Sequence, residues 1–277
     1  MGKIRLDITE DAYSKLNQNN YELSILVGMD SFTYMLYDDT HSIVALKEFG
    51  FEGQHPDLAT IIKSERRLHE PFHRARIGWM LSSPVLLPAR LYNPLEKRTY
   101  LQHLQSVDST DEVFADHLPR WECRCLYSLP PALLQPLQQA FPNAQHFHLA
   151  SALLLCLPQI SAGNDAYKLM VHLTGQNLVI LLIGASGPVF CNSFSYKSAE
   201  DFLYYVLLAL EQQSLDNNQT PLFISGRLLE DSAIFRLLQR YFKHIYFAPL
   251  LPNWKPGLQL QQEPTHFYFD LMSIAQS

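Results

Sequence analysis

The feature that most restricts the fold is an order of elements that occurs twice. YELSILVGMD, SFTYMLYD and SIVALKEFGF read as three strands of a meander, the last two separated by the turn DDTH. In the first of them Leu23, Ile25 and Val27 alternate with Ser24, Leu26 and Gly28, the period-2 signature of a strand. From Asp57 to about His69 the period becomes helical, with Leu58, Ile61, Ile62 and Leu68 on one side. Residues 73–91 read as strands broken by Pro84 and Pro88, and a short helix is predicted over 94–104. After WECRCLYSL, a strand, and LPPALLQPLQQAF, a helix, the opening order returns. AYKLMVHLT, QNLVILLIG and GPVFCNSFSY are three strands joined at TGQN and ASGP. KSAEDFLYYVLLALEQQ is a helix with Phe202, Val206 and Leu210 on one stripe. The strand LFISG, the helix LEDSAIFRLLQRYF and the short strand HIYFAP complete the second unit.

The expected architecture is α/β: two similar lobes, each a mixed sheet with flanking helices. The polar, acidic stretch SVDSTDEVFADHLP (106–119) reads as the linker. That division gives a lead-in segment over 1–20 with little core, a first lobe over 21–115 and a second over 116–277.

Composition narrows the function classes. With 47% hydrophobic residues and a net charge of only −6, the 277-residue chain is no disordered polymer. Charged residues make up 17%, below the roughly 25% of soluble domains, and no broad basic face for duplex nucleic acid is present. The apolar runs ALLLCLP, LVILLIGA and FLYYVLLAL fall short of the ~20 residues that span a bilayer. MGKIRLDITEDAY lacks the apolar run of a secretory signal, and four cysteines are too few for a disulfide framework. A cytoplasmic protein with reduced cysteines and no membrane span is expected.

Four motifs have chemistry attached. His69-Glu70-Pro71-Phe72-His73 matches the zinc-protease pattern, but Pro71 breaks the helix that would bring both histidines to one face. Cys123-x-Cys125 places two thiols on one face of a strand, either half of a metal site with His146 and His148 or two buried small hydrophobes. Gly184-Ala185-Ser186-Gly187 lacks the spacing of a nucleophile elbow. Arg66, Arg67, Arg74 and Arg76, with His69, His73 and Trp79 close by, form either a solvated helix end or a contact for RNA or an acidic partner.

The twofold plan resembles that of the actin-like ATPase (ribonuclease H-like) superfamily, which includes sugar kinases, heat-shock chaperones and type IV pilus assembly proteins. YELSILVGMDSFTYMLYD is similar to its first phosphate-loop hairpin and MVHLTGQNLVILL to its second. LFISGRLLEDSAIFRLLQRYF resembles the late strand–Gly–helix segment that touches adenosine, and HIYFAPLLPNWKP the C-terminal region of the pilus-assembly branch. NSFSYKSAEDFLYYVLLALEQQ, with VLLPARLY, resembles a bacterial family of unknown function assigned to this fold.

The resemblance implies a nucleotide cleft between the lobes, with an acidic metal-side residue two positions before the first hairpin's glycine. Leu26 stands there, ahead of Gly28, and His172 stands where the second hairpin has an aspartate. Leucine has no ligand for magnesium, and neutral imidazole is a poor ligand for a hard cation. Asp30 follows Met29 in the phosphate turn, and a carboxylate about 4 Å from a phosphate charge costs on the order of 4 kcal/mol at an effective dielectric near 20. The late Gly-Gly is here Gly226-Arg227.

The expectation is therefore a catalytically degenerate actin-like protein that acts as an interaction or scaffold protein, with an unidentified protein partner, no catalytic residues, no metal and no cofactor. The alternative is an ATPase or nucleotide-binding protein using substituted residues: Gly28, Thr174, Gly175, Ser225 and Gly226 would touch ATP, and Asp30, Asp38 or Asp39 would supply a displaced carboxylate for Mg.

Overall fold

The computed structural model describes residues 2–11, 13, 20–51, 57–161 and 166–277. The first meander is β2 (Glu22–Gly28), β3 (Ser31–Tyr37) and β4 (Ser42–Gly50), preceded by β1 (Lys3–Thr9). Helix α1 (Leu58–Ser64) starts where Asp57 accepts the Thr60 N–H at 3.1 Å, and the chain returns as β5 (Arg74–Met80). An insertion follows: β6 (Val85–Pro88), α2 (Lys97–Gln102), β7 (Glu112–Leu118) and β8 (Cys123–Leu129). Helix α3 (Pro131–Ala140), β9 (Gln145–His148) and α4 (Leu149–Cys156) lead out of it. The second meander is β10 (Tyr167–Thr174), β11 (Asn177–Gly184) and β12 (Gly187–Ser195), followed by α5 (Ala199–Glu211), β13 (Leu222–Gly226), α6 (Ala233–Tyr241) and β14 (Ile245–Phe247). The tail contributes β15 (Lys255–Pro256) and α7 (Phe269–Ala275).

Two sheets carry the fold, in the orders β1-β4-β3-β2-β5-β9 and β12-β11-β10-β13-β14. Apart from β1, and from β15 beside β4, both run third, second, first, fourth, fifth strand of their unit, so the repeated order of elements is a repeated topology. In each, an antiparallel meander is continued by parallel strands reached through helical crossovers.

Three expectations on organisation are corrected. Residues 3–9 form a strand whose pairing with β4, through six residues and a bulge at Arg5, widens the first sheet, and Ile8 reaches the core; most of the Asn/Gln-rich run after it lies outside the described residues. The acidic stretch over 106–119 contains β7, which pairs with β8 and, through β8, with β6 in a separate three-stranded sheet. Its polarity comes from strand positions such as Glu112 and His117 that face solvent, while Val113 and Leu118 are buried. The first sheet also continues past residue 115: β9 pairs with β5 over Arg76↔Gln145 to Trp79↔His148. Asp116 of β7 ties the insertion to this unit by accepting the His148 N–H at 2.8 Å and the Ser151 hydroxyl at 2.6 Å at the start of α4.

Alternation along the first strand of each unit sorts its side chains. Leu23, Ile25 and Val27 pack outward with α1 and α3, and Leu169, Val171 and Leu173 pack outward with α5 and α6. Leu26 and Met170 face inward, into a core between the sheets that also holds α4 and α7. Gly226 ends β13 at φ +83°, where an added Cβ would lie 2.0 Å from the Leu173 carbonyl oxygen on the neighbouring strand. Gly226→Ala should therefore cost at least about 3 kcal/mol, from left-handed strain and a backbone clash together. Urea unfolding measures this, and a loss below about 1 kcal/mol would remove the steric assignment.

Candidate functional site

The two hairpins meet at the mouth of the interlobe space. The β10–β11 turn is two residues long, Thr174↔Asn177, with Gly175 at φ +57° in its first position. Gly175 lies against the other lobe: a Cβ there would come within 2.5 Å of Asp30 Oδ2. Gly28 faces Thr174 across the same gap, whose methyl would be 3.7 Å from a Cβ at position 28. Thus Gly28, Thr174 and Gly175 lie close together, and Ser225 and Gly226 join them because β13 lies parallel beside β10, with His172↔Ser225 and Leu173↔Gly226 in register.

What fills the space between them is side chain. Leu26 is buried in the interlobe core. His172 is fully buried, with Nδ1 3.0 Å from Ser225 Oγ and Nε2 3.0 Å from Thr174 Oγ1. Burial pushes its pKa down to about 3, so it is a neutral ring that donates through one nitrogen and accepts through the other. Asp270, in the first turn of α7, places Oδ2 3.6 Å from His172 Nε2 and accepts the Leu271 N–H at 2.7 Å. Burial raises its pKa to about 7, with Glu48 nearby adding to the rise and Arg227 opposing it.

Charge pairs close the outer side. Arg227, directly after Gly226, donates from Nε to Glu48 Oε2 of β4 at 2.6 Å and stacks over Phe267 at 5.3 Å. Arg5 of β1 reaches Glu48 Oε1 at 3.4 Å and Asp30 Oδ2 at 3.8 Å. Arg227–Glu48 thus spans the lobes, and Arg5 joins Glu48 to Asp30 within the first, so the four charges balance. The cavity they leave, lined among others by Leu26, Thr174, Gly175 and Gly226, holds about 40 Å³, against roughly 300–1,000 Å³ for small-molecule sites.

These residues do not fit the metal–nucleotide group that the fold implies. Neither metal-side position offers a carboxylate, and the Asp30 carboxylate lies against Gly175 of the second hairpin turn. Asp38 and Asp39 are at the far end of β3, seven residues from Ser31 and thus about 20 Å away. Among the described residues no group of three or more His, Cys, Asp or Glu side chains is arranged to hold a metal ion.

The sequence reasoning missed Glu48, Asp270 and Arg5. The signal for the first two was present: each is an acid embedded in a strongly apolar segment, SIVALKEFGF and FYFDLMSIA, where a charge needs a partner.

The remaining motifs resolve differently. Arg67 is paired with Asp7 at 3.0 Å, and Arg76 is buried with Glu22 and the Tyr37 hydroxyl, so Arg66 and Arg74 alone of the four are exposed. Trp79 is buried and donates to His146 Nδ1 at 3.0 Å. His148 accepts the Ala150 N–H at the start of α4, and Cys123 and Cys125 are buried in β8. His69 bonds the Ile62 carbonyl outside any long helix, which removes the zinc-protease geometry. No helix among the described residues is long and apolar enough to cross a membrane.

Comparison with known proteins identifies the family and the fold. Residues 10–245 match the family "Protein of unknown function (DUF3822)", and the chain belongs to that family. A solved Bacteroides thetaiotaomicron protein with actin-like ATPase fold and unknown function superimposes with a TM-score of 0.79 at 14% identity, covering 96% of this chain and 99% of its own. A chain of the PilM–PilN type IV pilus biogenesis complex gives 0.58 at 11% identity, covering 92% and 97%. No curated protein matches the sequence. The fold is that of the actin-like ATPases.

The raised pKa of Asp270 has a pH signature. The folded state holds its proton up to about pH 7 and the unfolded state only to about 3.8, so this group lowers stability as pH rises through that window. The thermal midpoint of Asp270→Asn minus that of the native protein should therefore increase from pH 4 to pH 8. A difference independent of pH would remove the assignment.

Proposed function

We propose that this family member is a catalytically degenerate actin-like protein that serves as an interaction or scaffold protein in the cytoplasm. The observation that carries the reading is the pocket between the two hairpins, about 40 Å³, lined by Leu26, Asp270 and the Arg227–Glu48 pair. A protein that keeps a two-lobed fold without room for a nucleotide retains its surfaces as its means of action. That one structural relative was solved inside a protein–protein complex is in keeping with this.

A second reading has one observation in its favour. Asp30 Oδ1 is buried without a hydrogen-bond partner, beside Gly175 at the phosphate turn. A displaced carboxylate of a working nucleotide site would occupy such a place.

Thermal unfolding with millimolar Mg-ATP, Mg-ADP or other nucleotides separates the two. Binding at about 100 times the dissociation constant adds roughly 2.7 kcal/mol, a shift of several degrees. The expected shift is below about 1 °C, and the affinity for a purified protein partner should be the same with and without nucleotide. A shift of several degrees that Asp30→Ala abolishes would establish the second reading instead.

A further inference from the structure

From the end of α1 to β5 the chain carries cations that the fold leaves without partners. Residues 63–76 include five Lys and Arg side chains against two Glu. Arg67 is paired with Asp7, Arg76 with Glu22, and Glu65 with Lys47 at 2.7 Å. Lys63, Arg66 and Arg74 remain, each exposed and with no ion pair or side-chain hydrogen bond among the described residues. Glu70 is the one acid of the stretch left unpaired among them. With its partners counted, the stretch is net positive, on a chain whose net charge is −6.

A pocket of about 640 Å³, within the range of ligand sites, opens beside this stretch. It forms because β5 starts before β9 joins it: Arg74 has Glu22 of β2 opposite it, whereas β9 begins opposite Arg76. His73 and Arg74 line the pocket next to apolar surface from Phe72 and Phe141, whose ring centroids are 6.3 Å apart. On the β9 side Asn143 and Gln145 are exposed, and neither makes a side-chain hydrogen bond among the described residues.

We infer that this patch binds an acidic segment of a partner protein, which pairs its carboxylates with Arg66 and Arg74 and seats an apolar side chain in the pocket against Phe72. The Asn143 and Gln145 amides are free to bond its backbone. Charge selects the occupant: an acidic segment is attracted to this stretch and repelled by a surface that is acidic elsewhere. RNA fits less well. Glu70 lines the pocket, and the two rings pack on each other and on the core, so they offer no free faces on which bases would stack. The inference rests on the interaction reading and gives that interaction a place and a chemistry.

The test pans a displayed library of random 12-residue peptides against the full chain. Enriched peptides are then titrated by fluorescence polarisation against the native protein, Arg74→Glu, Arg66→Glu and, on α6 of the other lobe, Arg240→Glu. All three arginines are exposed, so the variants should keep the native melting temperature within about 2 °C. The expected result is a consensus of acidic residues flanking an apolar one. Binding should be about tenfold weaker to Arg74→Glu, several-fold weaker to Arg66→Glu and unchanged for Arg240→Glu, and it should weaken as salt is added. No enrichment, a consensus without acidic residues, or an equal loss in all three variants, which would report net charge alone, overturns the proposal. So does a 12-nucleotide oligouridylate that binds the native protein more tightly than the peptides and loses that affinity in Arg74→Glu, which would assign the patch to RNA. A protein partner that binds Arg74→Glu as well as native overturns this patch and leaves the interaction reading standing, whereas the absence of any protein or peptide partner removes both.

Discussion

Everything in the molecule depends on the apolar core between the two sheets. Helices α4 and α7 lie in it, and α7, the last helix, packs against β2 and β5 of the first unit as well as β13 of the second. Phe269, Leu271, Met272 and Ile274 of α7 are all buried, with 1% or less of their surface exposed. Burial of four such side chains contributes about 6–12 kcal/mol before conformational entropy is counted, which is comparable to the whole net stability of a typical domain. Separation of the lobes would expose this core, so their docking is a condition of folding. The inward positions of β2 and β10 are consequently packing positions, and Leu26 is buried there for the same reason as Met170.

That constraint explains the polar part of the site. Once the inner space is apolar, any ionisable group in it must be neutral or paired. His172 is held neutral by burial and satisfied by Ser225 and Thr174, and Asp270 is pushed toward its protonated form. Glu48, nearer the rim, keeps Arg227 and Arg5 as partners. Removing one partner from the buried Glu48 carboxylate would be strongly destabilising.

The sequence was legible where side-chain alternation acts locally. Leu23, Ile25 and Val27 against Ser24 and Leu26 gave the strand and its faces, and the same pattern in LMVHLT brought His172 to the interlobe side. The helix over 199–211 followed from one stripe of large apolar residues, and in the structure Ser198 caps it by accepting the Asp201 N–H. Pairing of distant segments was not legible. Nothing local in KIRLDIT says that it will find β4, because an edge strand half exposed to solvent alternates only weakly. The stretch over 106–119 read as a linker because β7 has a polar face and a three-stranded sheet with a small core needs few apolar residues. The arginine cluster failed for a related reason: Arg67 and Arg76 look like surface charges until Asp7 and Glu22, some 60 and 54 residues away, are brought beside them.

The glycines and the acids of the hairpins answer to different demands. Gly226 is required by its own backbone, since a Cβ would strike the Leu173 carbonyl whether or not anything occupies the cleft. Gly175 turns the chain at positive φ against the Asp30 side chain of the opposite lobe. Both residues would stand in this fold with no ligand at all. A metal-side carboxylate has no such backbone reason: at positions 26 and 172 a leucine and a neutral histidine satisfy the packing, and ionised acids there would cost several kcal/mol each without a cation. Glycine spacing in such a hairpin is therefore a reading of the fold, and the residue at the inward position before it is the reading of the chemistry.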